Sequence, residues 1–284
     1  MSAVHLGVST CPNDTFLVHA LAVGAVDTLG LEFRIELADV EVLNQRLFAG
    51  DFDVAKASFA AALRLGASAW VLSTGSALGR GVGPLLLAAR EGTHPSMPAP
   101  AGRAWSVLAP GEHTTATLLY RLFHGRAAPP EQVVFSEVLP ALEAGRADFG
   151  ICIHEGRFTW RGRGLSLVED LGERWEREVG MPLPLGGLVA RRTLGEERAR
   201  RVQAVLRASL EYGLAHPRET FATMRRHAQE LDDAVIAAHV ELYVNDSTLC
   251  LGSDGREALA ELAARAARAG LVPPSGTALE VLAG

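Results

Sequence analysis

The sequence contains almost no lysine. Among its 27 basic residues only Lys56 is a lysine, and all the others are arginine. Together with the abundance of alanine, this bias is typical of high-GC codon usage and carries little functional information. It nevertheless draws attention to Lys56, because lysine and arginine differ in shape and titratability. Either the aliphatic stem of Lys56 packs along a strand, or the function of the protein requires its ammonium group.

Cysteine is also scarce. Cys11, Cys152 and Cys250 are widely spaced, odd in number, and form no C-x-x-C or Cys/His metal pattern. Free thiols are typical of a reducing compartment. Long apolar runs are missing too: LVHALAVGAV is short, contains His19, and has no basic region ahead of it, so it is neither a signal peptide nor a membrane span. We therefore expect a cytoplasmic protein without a membrane span.

An excess of positive charge is absent as well. The formal net charge is −6 and the pI is near 5.9, which argues against a general nucleic-acid binder, because such a protein needs a basic face. A small-molecule partner is expected instead. With 48% apolar and 21% charged residues the chain can bury a substantial core, and 284 residues favour two domains over one.

The pattern of the first two-thirds is that of an α/β protein, because short apolar runs alternate with helical periodicity. After about Thr193 the sequence predicts successive amphipathic helices, one of which begins at Pro217. The predicted strands are 4–10, 31–37, 53–58, 70–76, 83–89, 104–109, 133–137, 148–153 and 165–170. The predicted helices before Thr193 include Asp14–Gly24, Val40–Gly50, His113–Gly125 and Val138–Gly145.

Two stretches rich in turn-forming residues divide the chain. EGTHPSMPAPAG (91–102) is typical of a domain connection, and MPLPLGGLVARR (181–192) would carry the chain back. We therefore predict an outer domain of residues 1–95 and 186–284 with an inserted domain of residues 96–185. A cleft between two such lobes, lined by the carboxyl ends of strands, is where a ligand should bind.

Motifs for nucleotide binding and for serine catalysis are lacking. SALGRGVGP (76–84) places three glycines around Arg80, but it matches neither G-x-G-x-x-G nor the P-loop, so it is either a glycine hinge or a ligand contact. There is no G-x-S-x-G elbow for a serine nucleophile. A cysteine nucleophile would need a partner that the sequence does not identify, and Cys11 is the thiol to test.

Two segments near the N-terminus each allow a structural and a functional interpretation. In STCPNDTF (9–16), Asp14 or Thr15 is placed to cap a helix, and a cap alone would explain the turn. In DVAKASFAA (53–61), Lys56 and Ser58 point to the same face of an extended segment, directly before a helix. Either both side chains bind an anion at the helix N-terminus, or the stem of Lys56 packs along the strand and Ser58 is the N-cap of the helix.

Two further segments end strands with polar residues. In APGEHTTATLLYRLF (109–123) a helix begins near Thr114 and Thr115, where free backbone N–H groups favour a carboxylate, although Thr114 alone would serve as a cap. In DFGICIHEGRF (148–158) a buried strand of a parallel sheet ends at His154. Histidine exchanges protons near neutral pH, so His154 is the candidate general base, with Glu155 or a backbone carbonyl holding its second ring nitrogen.

These segments, in this order and spacing, resemble the 1,4-dihydroxy-6-naphthoate synthase family of the futalosine-dependent menaquinone pathway. The matching stretches are S-x-CPNDTF, K-x-S at 56–58, SALGRGVGPLLLA, PGEHTTA, GICIHEGRFTW, LPLGGLVARR, AHPRE and YVNDST. The chain departs from the family at Thr10, where the family can have proline, and at Ala57, where it has leucine. Neither change removes an obvious functional group.

The resemblance implies an α/β, two-lobed type II periplasmic-binding-protein-like fold with the ligand cleft between the lobes. It implies a lyase that needs no metal or organic cofactor and converts cyclic dehypoxanthine futalosine, a carboxylate, to 1,4-dihydroxy-6-naphthoate. His154 falls at the family's proton-acceptor position, and Lys56, Ala57 and Ser58 with Thr114 and Thr115 at its substrate-binding segments. Asp14 is a further candidate contact. The alternatives are a non-catalytic binding protein for a small carboxylate and the sister chorismate dehydratase.

Overall fold

The computed structural model describes residues 2–125, 127–228, 232–273 and 279–283, and within them the chain forms two separate mixed sheets with helices packed around them. The first sheet has seven strands: β1 (Val4–Ser9), β2 (Phe33–Ala38), β3 (Val54–Ser58), β4 (Ala69–Val71), β5 (Ala77–Gly79), β11 (Leu183–Arg191) and β12 (Glu280–Val281). The second sheet has five: β6 (Leu85–Ala88), β7 (Val107–Ala109), β8 (Glu131–Gln132), β9 (Phe149–Cys152) and β10 (Ser166–Asp170).

Helices follow most of the strands and make up most of the C-terminal part. They are α1 (Pro12–Ala22), α2 (Val40–Ala49), α3 (Phe59–Leu65), α4 (Thr115–His124), α5 (Phe135–Glu143), α6 (Gly156–Thr159), α7 (Leu171–Val179), α8 (Glu196–Ala215), α9 (Pro217–His227), α10 (Asp233–Tyr243), α11 (Asp246–Leu249) and α12 (Gly252–Arg268). As predicted, Pro217 begins a helix, since its missing N–H costs nothing at the first helical position.

The strand order places the ends of several strands at one edge of each sheet. In the first sheet the order is β12-β4-β11-β3-β1-β2, with β5 also pairing with β11, and β1 is parallel to both β2 and β3. Ser9 and Ser58, which end β1 and β3, therefore lie at the same edge. In the second sheet the order is β10-β6-β9-β7-β8, and β9 is parallel to β7, so Ala109 and Cys152 end at the same edge.

The environment of β9 differs in part from the prediction. All four of its residues are buried, as expected for a strand covered on both faces. Its two neighbours run in different directions, however, because β7 is parallel to it and β6 is antiparallel. The sheet around Phe149–Cys152 is thus mixed rather than parallel.

Sheet membership shows where the chain crosses between the two sheets. The first sheet takes strands up to Gly79 and again from Leu183, whereas Leu85–Ala88 already belongs to the second sheet. The division into residues 1–95 with 186–284 and residues 96–185 stays a prediction. The strand Leu85–Ala88, which that division assigns to the outer domain, pairs with Phe149–Cys152 and Ser166–Asp170.

One predicted strand was wrong, and one long strand was not predicted. Residues 133–137 do not form a strand: β8 ends at Gln132 and α5 begins at Phe135, because Val138, Leu139 and Leu142 bury one face of a helix. MPLPLGGLVARR is not a simple connection, because most of it is the nine-residue strand β11, which pairs with β3 along one side and with β4 and β5 along the other.

Candidate active site

A cavity lies between the edges of the two sheets where β1, β3 and β9 end. It contains about 660 Å³ of empty space, part of it open to solvent. All seven predicted site residues lie on its wall: Asp14, Lys56, Ala57, Ser58, Thr114, Thr115 and His154. Cavity residues that had no assigned role include Ser9, Asn13, Gly186, His239 and Tyr243.

His154 reaches the cavity through an unusual backbone conformation. Its φ is +54°, in the left-handed region that only a few per cent of residues other than glycine adopt. Strained residues of this kind concentrate at functional sites, where the surrounding structure holds them. The edge of the Phe135 ring supports the imidazole at a centroid distance of 4.9 Å. The turn after β9 therefore fixes the direction of the His154 side chain.

The imidazole of His154 contacts the thiol of Cys11. The Cys11 Sγ lies 3.3 Å from Nδ1 and 3.7 Å from Nε2 of His154. Because a thiol is a weak hydrogen-bond partner, this contact leaves the imidazole available to a ligand. The second ring nitrogen is not held by Glu155, since no hydrogen bond joins the two side chains within the described residues. Glu155 is buried, and its Oε2 has no partner there.

The Cys11–His154 pair supplies the partner that a cysteine nucleophile would need, but the local electrostatics oppose that role. Burial raises the pKa of the Cys11 thiol well above its ordinary value, and the negative charges of Glu155 and Asp14 raise it further. The thiolate is the reactive form of cysteine. Cys11 therefore remains a protonated thiol that packs against His154 rather than an activated nucleophile.

Lys56 and Asp14 form a buried ion pair. The Lys56 Nζ lies 2.6 Å from Asp14 Oδ1, and the side chains are 7% and 5% exposed. Lys56 also donates to the Gly75 carbonyl at 3.2 Å, and Asp14 accepts from Ser9 Oγ. One interpretation of the sequence predicted that Asp14 caps α1. That prediction is wrong, because Cys11 occupies the N-cap position. One of the three N–H bonds of the Lys56 ammonium remains for a ligand.

Ser58 occupies the N-cap position of α3, but its hydroxyl does not cap the helix. Asn44 Nδ2 instead donates to Ser58 Oγ at 3.3 Å, and the Ser58 backbone N–H donates to Asn44 Oδ1 at 3.0 Å. Asn44 thus fixes Ser58 through both its amide atoms. The hydroxyl proton of Ser58 stays free to be donated into the cavity.

The hydroxyls of Thr114 and Thr115 are engaged within the protein. Thr114 caps α4, since its Oγ1 accepts from the Thr117 N–H at 3.2 Å and lies 2.9 Å from the Gly111 carbonyl. Thr115 donates to the Leu185 carbonyl at 2.6 Å and accepts from the Ala60 N–H at 3.2 Å. The groups left at this helix start are the backbone N–H groups of the first turn, at Thr115 and Ala116, which favour an anion.

Replacing Thr114 with valine should therefore act on stability as well as on ligand binding. Loss of the cap should lower the free energy of unfolding by about 0.5–2 kcal/mol. Thr114→Ser is the matched control, because it keeps the capping oxygen and should unfold at nearly the wild-type urea concentration. Equal stability of the valine and serine variants in urea titrations would contradict the capping role.

Arg80 lies away from the cavity wall. Its guanidinium donates to the Gly180 carbonyl at 2.8 Å and lies 3.8 Å from Glu176, and the side chain is 57% exposed. The glycine-rich stretch around it joins the first sheet to the second and packs against α7. Gly83 in particular contacts the Gly172 backbone so closely that a Cβ would collide with it.

His239 and Tyr243 on α10 complete one wall of the cavity and were not predicted. Their rings lie 4.5 Å apart, and the His239 ring is stacked 6.5 Å from that of His154. Burial lowers the pKa of His239 well below its ordinary value, and the positive charge of Lys56 lowers it further. The sequence does contain one feature that could have identified these two residues. A histidine and a tyrosine lie one helical turn apart among the apolar positions of a predicted amphipathic helix.

Neither a metal-binding cluster nor a membrane-spanning helix occurs among the described residues. Residues 2–125, 127–228, 232–273 and 279–283 contain no group of three or more His, Cys, Asp or Glu side chains arranged to hold a metal ion. In the same ranges, none of the helices combines the length and the apolar character needed to cross a bilayer. The three cysteines are free thiols, of which Cys250 is exposed.

Comparison with known proteins shows extensive similarity. A "1,4-dihydroxy-6-naphtoate synthase" of Thermus thermophilus is 43% identical over 275 residues, covering 97% of this chain and 98% of the relative. A protein of the same name from Streptomyces coelicolor is 40% identical and covers 96% of both chains. The similarity thus extends over nearly the whole length of each protein.

Solved structures establish the fold. Protein AF1704 from Archaeoglobus fulgidus superimposes with a TM-score of 0.87 at 29% identity, covering 95% of this chain and 98% of that one. The periplasmic aliphatic sulphonate binding protein SsuA from Escherichia coli gives 0.65 at 13% identity, covering 100% and 94%, and shows the fold alone. The predicted periplasmic-binding-protein-like α/β fold is thereby confirmed. Residues 4–268 match the family described as "Menaquinone biosynthesis", and the chain belongs to that family.

Proposed function

We propose that the protein is a lyase that converts cyclic dehypoxanthine futalosine to 1,4-dihydroxy-6-naphthoate, with His154 as the general base. The observation that carries the proposal is the position of His154 on the wall of the cavity that also contains the α4 N-terminus and Lys56. A base and two sources of positive potential thus surround one space. The names of the two full-length relatives support the reaction.

The substrate carboxylate is proposed to bind at the start of α4. The backbone N–H groups of Thr115 and Ala116, which have no partner among the described residues, and the helix dipole favour a negative charge there. The remaining N–H of Lys56 and the hydroxyl of Ser58 are donors for oxygen atoms elsewhere on the substrate. This arrangement differs from direct binding by the threonine hydroxyls, because both are engaged in the protein.

His154 is proposed to remove a proton beside the ring that becomes aromatic, after which the sugar-derived fragment is lost. Aromatisation supplies driving force, so the protein needs chiefly to position the substrate and to provide one base. The left-handed backbone at His154 and the Phe135 edge contact hold the imidazole in place. Closure of the two lobes would exclude water from the reactive intermediate. A reducing cytoplasm as the site of this reaction is supported by the three free thiols.

The test is direct conversion. Purified protein is incubated with cyclic dehypoxanthine futalosine, and the mixture is analysed by mass spectrometry for dihydroxynaphthoate. Turnover by the wild type supports the lyase. Binding of the substrate without turnover would instead support a non-catalytic binding protein, and conversion of chorismate would support the sister dehydratase.

A further inference from the structure

We propose that His239 is a second substrate-contacting residue, and that its Nδ1 accepts a hydrogen bond from a hydroxyl group of the bound ligand. The inference rests on the proposed function for the identity of the ligand. It assigns a role to a residue on α10 that lies on the cavity wall beside the base.

A chain of hydrogen bonds fixes the tautomer of His239. Asp14, paired with Lys56, accepts from Asn13 Nδ2 at 3.0 Å. The amide oxygen of Asn13 must therefore be the atom that faces His239, and it lies 3.0 Å from Nε2. A carbonyl oxygen only accepts, so Nε2 carries the proton. In the neutral ring, Nδ1 is then an acceptor with a free lone pair.

This lone pair of Nδ1 is buried and has no hydrogen-bond donor among the described residues. His239 is 1% exposed, and its Nδ1 has no hydrogen-bond partner in the described part of the chain. Buried polar atoms are nearly always paired, so an unpaired acceptor on a side chain that lines a ligand cavity points to a donor on the ligand. The ring stays neutral because burial, and the nearby positive charge of Lys56, lower its pKa.

The neutral state of His239 determines the chemical class of the donor on the ligand. A neutral acceptor forms a hydrogen bond with an O–H or N–H group of a ligand, but it forms none with a carboxylate, which has no proton to donate. The α4 N-terminus and Lys56 have the opposite preference. Under the proposed function, the carboxylate and the hydroxyl groups of a dihydroxynaphthoate would thus be recognised at separate points of one cavity.

Two matched variants separate the two nitrogens of His239. His239→Gln retains a donor near the position of Nε2, which keeps the link to Asn13, but lacks an acceptor at Nδ1. His239→Asn retains an oxygen near the position of Nδ1 but loses the link to Asn13. We expect kcat/KM to fall about three- to tenfold in His239→Gln, as for one neutral hydrogen bond, and less in His239→Asn. Thermal unfolding of each variant checks that it is folded.

Binding of two ligands completes the experiment. Titration with 1,4-dihydroxy-6-naphthoate and with 2-naphthoate, which has the same rings and carboxylate but no hydroxyls, should show a three- to tenfold weaker Kd in His239→Gln for the first only. Equal effects on both ligands, no effect on either, or an equal loss of kcat/KM in both variants overturns the inference while leaving the lyase intact. Absence of conversion by the wild type overturns the proposed function, and the inference falls with it.

Discussion

Replacing His154 with asparagine should lower kcat about 10²–10⁴-fold, the usual contribution of a general base. Asparagine is the suitable replacement because it tolerates the left-handed backbone that His154 adopts, whereas alanine at a φ of +54° would add strain. We expect the asparagine variant to keep most of its stability and its affinity for dihydroxynaphthoate. Single-turnover rates, with titrations for binding, separate the loss of the base from a loss of folding.

Cys11→Ala is the matched control for this experiment, because Cys11 contacts the same imidazole. If His154 is the base, the alanine variant should retain most of its kcat, since the raised pKa of the thiol makes Cys11 a poor nucleophile. A loss of activity in Cys11→Ala as large as that in His154→Asn would point to a Cys–His nucleophile instead. Full activity of His154→Asn would show that His154 is not the general base.

Local signals were enough to predict the fold class and the segments that form the cavity. Strand ends followed by turns and helix starts mark the carboxyl edge of a sheet, and STCPNDTF, DVAKAS, GEHTTA and GICIHE are all of this type. Their residues meet because β1, β3, β7 and β9 all end at the sheet edges that face the cavity. The α/β pattern of the sequence already predicts a cleft lined by strand ends. The family resemblance then supplied the chemistry.

The strand β11 escaped prediction because its sequence has the composition of a turn. Pro184 lies where β11 pairs with the short β5 through an irregular register, and Gly186 and Gly187 are required by neighbours rather than by a bend. A Cβ on Gly186 would lie 2.6 Å from the Ala57 carbonyl oxygen, and one on Gly187 would lie 2.9 Å from the Phe59 ring. The reason for these glycines is a long-range contact that a single sequence does not reveal.

The polar network behind the cavity could not be predicted for a similar reason. His239 bonds to Asn13 across 226 positions of sequence, and Lys56 bonds to Asp14 across 42. Each of these side chains has a satisfactory local interpretation as a cap, a turn or a packed stem. Only the folded chain shows that α1, β3 and α10 bring them together.

Replacing Lys56 with methionine should destabilise the protein by about 3–5 kcal/mol, because it leaves the Asp14 carboxylate buried without its counter-charge. The hydrogen bonds that Ser9 and Asn13 donate to Asp14 favour the lower end of this range. Urea unfolding at constant pH measures the loss. A change below about 1 kcal/mol, the usual value for an exposed pair, would contradict the burial of this ion pair.

The double variant Lys56→Met/Asp14→Asn separates the structural role of Lys56 from its proposed contact with substrate. Because asparagine removes the unpaired charge but keeps an acceptor for only one of the two donors, Ser9 and Asn13, part of the lost stability should return. The KM should remain raised, since the N–H that Lys56 offers to the cavity is still missing. Kinetics are compared at a temperature at which all variants are folded. A double variant with wild-type KM would show that Lys56 serves only to hold Asp14, and the substrate contact would then have to be assigned to Ser58 and the α4 N-terminus alone.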